Sequence, residues 1–410
     1  MAKNRPPSNE IPPTAGLPPR WSDVSPFAAV STRPVDLAQR AAAFLETDAV
    51  QLECSGTASL VIALTALHRL SGRRVVVVPA YTCPLVALAV AYCGLELRLC
   101  DLAPGSIDFD AVQLAHVCDV DTLAIVPTHL AGRVADVGTA VAIARKVGAF
   151  VIEDAAQAFG ARRNGKPVGF DGDAGFFSLA VGKGLTTFEG GVLVARDARL
   201  RDAFSGVSRE IVPRQLGWEL KRTLQLLGYH AFYRPSLLAL AYGAPLRRAL
   251  RHGDLIGAVG DDFGAEIPMH TLGHWRQAVG ARAFERLPQF LDECSARAYR
   301  RKQHLATIPN VTVIDDPPDA YGTWPFLLLR LSSETARDAV LQRLWSAGLG
   351  INRLFIHALP DYDYLHTIVG SRDVPNARAF AATTLTISNS PWLGDEAFER
   401  ICAVLEALPV

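Results

Sequence analysis

Residues 151–193 read VIEDAAQAFGARRNGKPVGFDGDAGFFSLAVGKGLTTFEGGVL. Two short apolar runs, AFVIEDAA (149–156) and GFFSLAV (175–181), end in polar or turn-forming residues, as strands buried on both faces of a parallel sheet do. Asp154 stands at the end of the first run, and Lys183 follows the second between Gly182 and Gly184. Glycines on both sides open the backbone around the ammonium to something bulky, which a surface lysine does not need. The stretch reads as the floor of a ligand cleft at the carboxyl edge of a sheet.

Working outward, RRVVVVPAY (73–81), LELRLCDL (95–102) and TLAIVPTH (122–129) precede it and GGVLVARD (190–197) follows, with helix-like CPLVALAVAYCG (83–94) and DVGTAVAIARKVGA (136–149) between them. Strands alternating with helices predict an α/β fold whose mainly parallel sheet is covered on both faces. Residues 1–30 are rich in proline and read as an extended arm, because proline removes donors and pushes its predecessor out of the helical region. Residues 31–289 are expected to form a large domain. Beyond the helix-like HWRQAVGARAFERLPQFLDECSARAYRRKQHLA (274–306), the runs TWPFLLLRL, AGLGINRLF and TTLTISNSPW predict a smaller α+β domain over 290–410.

The composition, 50% hydrophobic and 20% charged, is that of a soluble globular chain. Forty-one basic and 41 acidic residues cancel, so no overall field favours nucleic acid. Seven scattered cysteines (54, 83, 93, 100, 118, 294, 402) form no CxxC or Cys/His cluster, which points away from a metal site and towards a reducing cytoplasm. The start lacks the apolar core of a signal peptide, and no apolar run approaches the roughly 20 residues of a membrane span. One segment is locally unbalanced: residues 208–268 are apolar and basic and read as a helical insertion. Between Arg214 and Arg251, the basic residues Arg214, Lys221, Arg222, Arg234, Arg247, Arg248 and Arg251 face one acid, Glu219, while Trp218, Leu220, Leu224, Leu227, Ala231 and Phe232 recur at helical spacing. Such a pattern suits peripheral contact with a membrane surface, or an apolar face packed on the enzyme's own body or across a dimer. Pro235 and Pro245 are expected to break the segment into short pieces.

Three features carry chemistry. CSGTASL (54–60) precedes an apolar helical pattern, so its free amides and hydroxyls suit a phosphate; helix capping by Ser55 or Thr57 explains the same residues. Asp154, with Gln157 three residues on, suits a protonated heteroaromatic nitrogen or another helix cap. Lys183 follows Ser178, a second candidate phosphate ligand. A phosphate anchor, a buried acid and an amine able to condense with an aldehyde are together the parts that hold pyridoxal phosphate.

With those stretches the chain resembles the DegT/DnrJ/EryC1/StrS family, sugar aminotransferases of the aspartate-aminotransferase (type I) PLP fold. SGTASL, VPAYTCP, PTHLAGRVAD, IEDAAQAFGA, GKPVGFDGDAGFFSLAVGKGLTTFEGGVL and FIHALPDY run in the family's order over roughly residues 30–405. The resemblance implies that Gly56, Thr57 and Ser178 bind the phosphate with help from the Ala58 amide. Asp154 would pair with the pyridine nitrogen, Gln157 would lie near the ring and its phenolic oxygen, and Lys183 would bond the cofactor and shuttle a proton. His357 would lie near substrate, or else bridge domains. Lysine at 183, where sugar 3-dehydratases of this group have histidine, favours transamination. Cys83 stands where relatives place Phe or Trp on the ring, so either its thiol or Tyr81 would supply that face. His270 falls where the family's N-Y-R asparagine reaches the phosphate of a partner subunit. The implied function is that of a homodimer moving an amino group from glutamate to a nucleotide-linked keto-sugar for polysaccharide or glycoconjugate synthesis. The alternatives are a non-sugar acceptor, a sugar dehydratase, or a PLP-binding regulator without turnover.

Overall fold

The computed structural model describes residues 7–25, 36–264 and 266–408. Among them, β1 (Gln51–Glu53), β2 (Val75–Pro79), β3 (Glu96–Cys100), β4 (Thr122–Ile125) and β5 (Phe150–Asp154) come first in the chain. The short β6 (Arg162–Arg163) and β7 (Lys166–Pro167) precede β8 (Ala174–Ser178) and β9 (Gly191–Val194). A seven-stranded sheet has the order β1-β9-β8-β5-β4-β2-β3. From β3 to β8 its neighbours run parallel, whereas β9 pairs antiparallel with β8 and β1 antiparallel with β9.

The parallel part follows from the sequence. Every residue of β2, β4 and β8 is buried, so these strands are near-continuous apolar runs rather than alternating, with Thr122 opening β4 and Ser178 closing β8. Helices Pro84–Tyr92 and Val137–Val147 supply crossovers. Helix Gly56–Ser71 begins at Ser55, whose Oγ accepts from the Ala58 amide, and ends at Gly72 in the left-handed region. Residues 179–190, between β8 and β9, form no helix, so the chain returns antiparallel.

The C-terminal half builds a second sheet of β10 (Val311–Val313), β12 (Phe326–Leu331), β13 (Ile351–Asn352) and β14 (Thr384–Ser388), ordered β10-β12-β14-β13 and antiparallel throughout. Its core includes Leu327, Leu329, Val340, Leu385, Ile387 and Ile401. A small third sheet joins β11 (Ala320–Tyr321) to β6 and β7.

Residues 7–25 carry one short helix, Trp21–Val24, and are otherwise irregular; residues 1–6 and 26–30 of the expected arm lie outside the described residues. The described part is embedded. Ile11 N donates to Gly348 O at 2.9 Å, Ala15 N to Pro325 O at 2.7 Å and Leu17 N to Gly184 O at 2.9 Å, so the arm joins the second sheet to the lysine loop.

The basic segment is helical: Leu216–Phe232, Pro235–Leu238, Ala239–Gly243, Ala244–Arg251 and Leu255–Val259. Pro235 opens a new helix, but Pro245 does not interrupt one. A π-turn over Ala239–Gly243 runs directly into the next helix, which places Pro245 in its first turn, where a missing N–H is tolerated. Trp218 also differs from expectation. It faces inward, stacked on His270 with ring centroids 6.0 Å apart, while Leu220, Leu224 and Leu227 face outward. No described helix is long and apolar enough to cross a membrane.

Candidate active site

A cleft of about 800 Å³ opens at the carboxyl ends of the parallel strands. Its floor is Thr82 after β2, Thr128 after β4, Asp154 closing β5 and Ser178 closing β8. Parallel strands bring their C-terminal residues to one edge, which is why four positions spread over the chain converge.

Asp154 is buried. Its Oδ1 accepts from Ala156 N at 3.0 Å, while Oδ2 has no hydrogen-bond partner among the described residues. Burial raises its proton affinity, opposed by the Ala156 hydrogen bond and by the nearby side chains of Lys183 and His129. Lys183 lines the same cleft, and its Nζ makes no hydrogen bond among the described residues. Burial lowers the proton affinity of this amine, with Cys83 and Asp154 acting in the opposite sense. An acid and an amine thus face one cavity with bonding capacity unused.

The glycines beside Lys183 have a more local reason than room for a ring. Gly182 and Gly184 have φ of 81° and 82°, in the left-handed region, and a side chain on Gly182 would collide with Thr14 of the arm, itself part of the cleft wall.

Gly56 and Thr57 line the cleft at the start of helix Gly56–Ser71, and a Cβ on Gly56 would come within 3.2 Å of the Ser178 Cβ. Helix N-terminus and serine are therefore adjacent, in the arrangement an anion requires. Capping and cleft lining coexist here, since Ser55 Oγ accepts from Ala58 N at 3.0 Å. That bond engages the Ala58 amide, and Ala58 itself is buried outside the cleft lining. Ser178 Oγ accepts from Ala180 N at 3.2 Å, leaving its proton to donate. Gln157 lines the cleft with Oε1 bonded to Ala131 N at 2.6 Å, so its amide hydrogens are available.

Of the two candidates for the ring face, Cys83 lines the cleft and Tyr81 does not. Tyr81 is buried behind it, its hydroxyl donating to Phe355 O at 3.2 Å. Burial pushes the Cys83 thiol up to about 12, so it stays a neutral, soft group. His357 is half-buried beside the cleft, packed edge-on to Tyr362 with centroids 5.3 Å apart, while Arg353, Leu354 and Phe355 supply the lining there. His270 is fully buried within its own chain, 3.3 Å from Glu189 and outside the cleft lining. A ring without exposed surface is not presented to a second subunit.

Other groups were not singled out by the sequence. His129 lines the cleft with both ring nitrogens engaged: Ala135 N donates to Nδ1 at 3.0 Å, so Nε2–H donates to Glu153 at 2.9 Å. Its signal was present in the strand-like run TLAIVPTH, which ends on it. Asp261 also lines the cleft; its Oδ2 accepts from Tyr362 Oη at 2.7 Å and Ile356 N at 2.8 Å, and burial pushes its carboxyl up to about 6. Tyr229, Phe232, Tyr233, Leu238 and Tyr242 add an apolar wall from the helical segment.

The model of the DegT/DnrJ/EryC1/StrS aminotransferase family matches residues 31–406. GDP-perosamine synthase of Caulobacter vibrioides is 28% identical over 360 residues, covering 87% of this chain and 84% of that protein. UDP-N-acetyl-3-dehydro-alpha-D-glucosamine 3-aminotransferase of Acidithiobacillus ferrooxidans is 38% identical over 154 residues, covering 37% of this chain and 42% of that protein. Among solved structures, the PLP form of the putative sugar aminotransferase Spr1654 from Streptococcus pneumoniae superposes with a TM-score of 0.72 at 19% identity, covering 98% of this chain and 100% of that one. The likeness shows the fold to be the type I PLP fold.

Proposed function

The chain belongs to the DegT/DnrJ/EryC1/StrS aminotransferase family and is a pyridoxal-phosphate-dependent aminotransferase, and on that premise we propose that it moves an amino group from glutamate to the keto group of a nucleotide-linked sugar. It would do so as a cytoplasmic homodimer, in polysaccharide or glycoconjugate synthesis. One observation carries the reading: Asp154 and Lys183 face a single cleft with unused bonding capacity, beside a helix N-terminus built of small residues. The nucleotide-linked acceptor is supported by the GDP and UDP in the names of two relatives.

The cleft fits the cofactor. Gly56, Thr57 and Ser178 would hold the phosphate, Oδ2 of Asp154 the proton of the pyridine nitrogen, and the Gln157 amide the phenolic oxygen. Cys83 would lie against the ring, and Lys183 would anchor the aldehyde carbon. Bound, pyridoxal phosphate supplies an electron sink for the pair left when a C–H bond of the substrate is broken. The residues do the rest. Asp154 would stabilise positive charge on the pyridine nitrogen. The lowered proton affinity of Lys183 keeps a share of Nζ neutral, as a nucleophile and a base require. Lys183 Nζ would then take the proton from the donor's carbon. The tyrosine and phenylalanine wall keeps water from that proton.

Adding glutamate to the purified yellow protein should bleach its absorbance and release one 2-oxoglutarate per site, and a keto-sugar nucleotide should restore the colour. Bleaching by another amine alone rejects glutamate as donor, and restoration only by a non-nucleotide ketone rejects the acceptor class. Loss of water from a sugar without amination would indicate a dehydratase. Absence of any cycling would indicate a regulator.

A further inference from the structure

Helix Leu216–Phe232 leaves a row of apolar side chains uncovered. Leu216 is 84% exposed, Leu220 61%, Leu224 60% and Leu227 38%, and the exposed Ala231 continues the row. Steps of four and three residues place all five within about a quarter of the helix circumference, along roughly 22 Å. The opposite side holds buried Leu226 and inward-facing Trp218. The row is therefore an outer face of the folded chain and not part of its core.

Cations frame that face. Arg214 and Arg234 are exposed at its two ends and the exposed Lys221, its Nζ 4.4 Å from the centre of the Trp218 ring, lies along its flank, and none of the three makes an ion pair among the described residues. The two other arginines of the region that form ion pairs are turned inward, Arg222 to Glu189 and Arg247 to Glu10. The one carboxylate between residues 211 and 253, Glu219, is bound by Arg276 at 2.6 Å and by Gly273 N, so it offsets none of the outer charge.

We propose that this face seats on an anionic lipid bilayer, with Leu216, Leu220, Leu224 and Leu227 entering the interfacial region and Arg214, Lys221 and Arg234 meeting lipid phosphates. A leucine stripe bordered by cations that no carboxylate neutralises is the pattern of a helix lying in a membrane interface. Charge argues against a second copy of the chain as occupant, since two identical faces would bring like cations together with no free acid between them. The face is also continuous with the cleft. Phe232 is 48% exposed yet lines the cleft, and Tyr229 and Tyr233 line it from the inner side of the same segment. Seating the helix brings the cleft mouth to the lipid surface.

Vesicle flotation of the full-length holoenzyme tests this. At low salt the protein should float with phosphatidylcholine vesicles containing about a third phosphatidylglycerol, and should be released as salt is raised. R214Q/K221Q/R234Q should lower its partition onto those vesicles about a hundredfold. L220E/L224E should lower it at least about tenfold while the melting temperature, the elution volume and the amino-transfer rate on a soluble acceptor stay unchanged. These positions are solvent-exposed, so loss of binding is separable from misfolding. The proposal is overturned if the wild-type protein stays in the buffer, or floats equally on pure phosphatidylcholine. It is also overturned if L220E/L224E splits an oligomer into single chains, which would assign the face to a second copy.

Discussion

Glu153 and Asp154 are consecutive in one strand, yet the Glu153 carboxylate accepts three hydrogen bonds from its own chain and the Asp154 carboxylate accepts one. The donors to Glu153 are His129 Nε2 at 2.9 Å, Gly169 N at 2.8 Å and Gly172 N at 2.7 Å. Successive strand residues point to opposite faces, so one carboxylate ties loops together while its neighbour keeps an oxygen for a ligand. The two should respond oppositely to amide substitution.

Asp154→Asn should retain cofactor and lose about a hundredfold in kcat. The amide still hydrogen-bonds, but it cannot offset positive charge on a ring nitrogen, an electrostatic contribution typically worth about 3 kcal/mol. Stopped-flow rates of the glutamate half-reaction check this. A rate within a few-fold of wild type would make Asp154 only the partner of Ala156 N.

Glu153→Gln should act on stability instead. A glutamine in its place turns an NH2 towards a backbone N–H that now has an acceptor, leaving one buried donor unmet at a cost of about 2 kcal/mol. Urea unfolding should show that loss, with the half-reaction slowed less than in Asp154→Asn. Unchanged stability combined with a collapsed rate would move Glu153 into the chemistry.

Borohydride reduction of the holoenzyme should fix the cofactor on Lys183, with the modified peptide identified by mass spectrometry. Lys183→Arg keeps the charge but supplies no nucleophile or base at pH 7, so turnover should fall at least about a thousandfold. An adduct on another lysine would remove Lys183 from its assigned place.

The parallel strands were legible because burial on both faces demands unbroken apolar runs, as in Val75–Val78. Strand β1 was not. Its three residues, Gln51–Glu53, carry no apolar run and owe their conformation to pairing with Gly191–Leu193. The placement of Asp154, Ser178 and Lys183 in the cleft was legible because the first two close strands and the third follows one within the same short segment. The engagement of His129 and Asp261 was not, because their partners are remote in sequence: Glu153 for the first, Tyr362 and Ile356 for the second. Orientation was the weakest reading. Helical spacing grouped Trp218 with Leu220, but two residues along a helix are about 200° apart, so Trp218 packs on His270 while Leu220 faces outward. The same limit separates Cys83 from Tyr81 after β2.

Asp261 gives a pH dependence whose sign is fixed by burial. Its carboxyl is pushed from 3.8 up to about 6, chiefly by desolvation, with the Tyr362 and Ile356 hydrogen bonds acting in the opposite direction. The folded chain therefore holds this proton more tightly than the unfolded chain does. The resulting contribution to stability is complete below pH 3.8 and is lost as pH rises through about 6, and the displacement corresponds to about 3 kcal/mol at most. Asp261→Asn keeps an oxygen to accept from Tyr362 Oη and Ile356 N, both of which bond Oδ2, and carries no charge at any pH. Compared with wild type, the variant should be of similar stability at pH 4 and more stable at pH 8, by about 2 kcal/mol. Unfolding curves at intervals between pH 4 and 8 decide it. If the difference between the two proteins is the same at both ends of that range, Asp261 titrates as an ordinary carboxylate and its burial costs nothing.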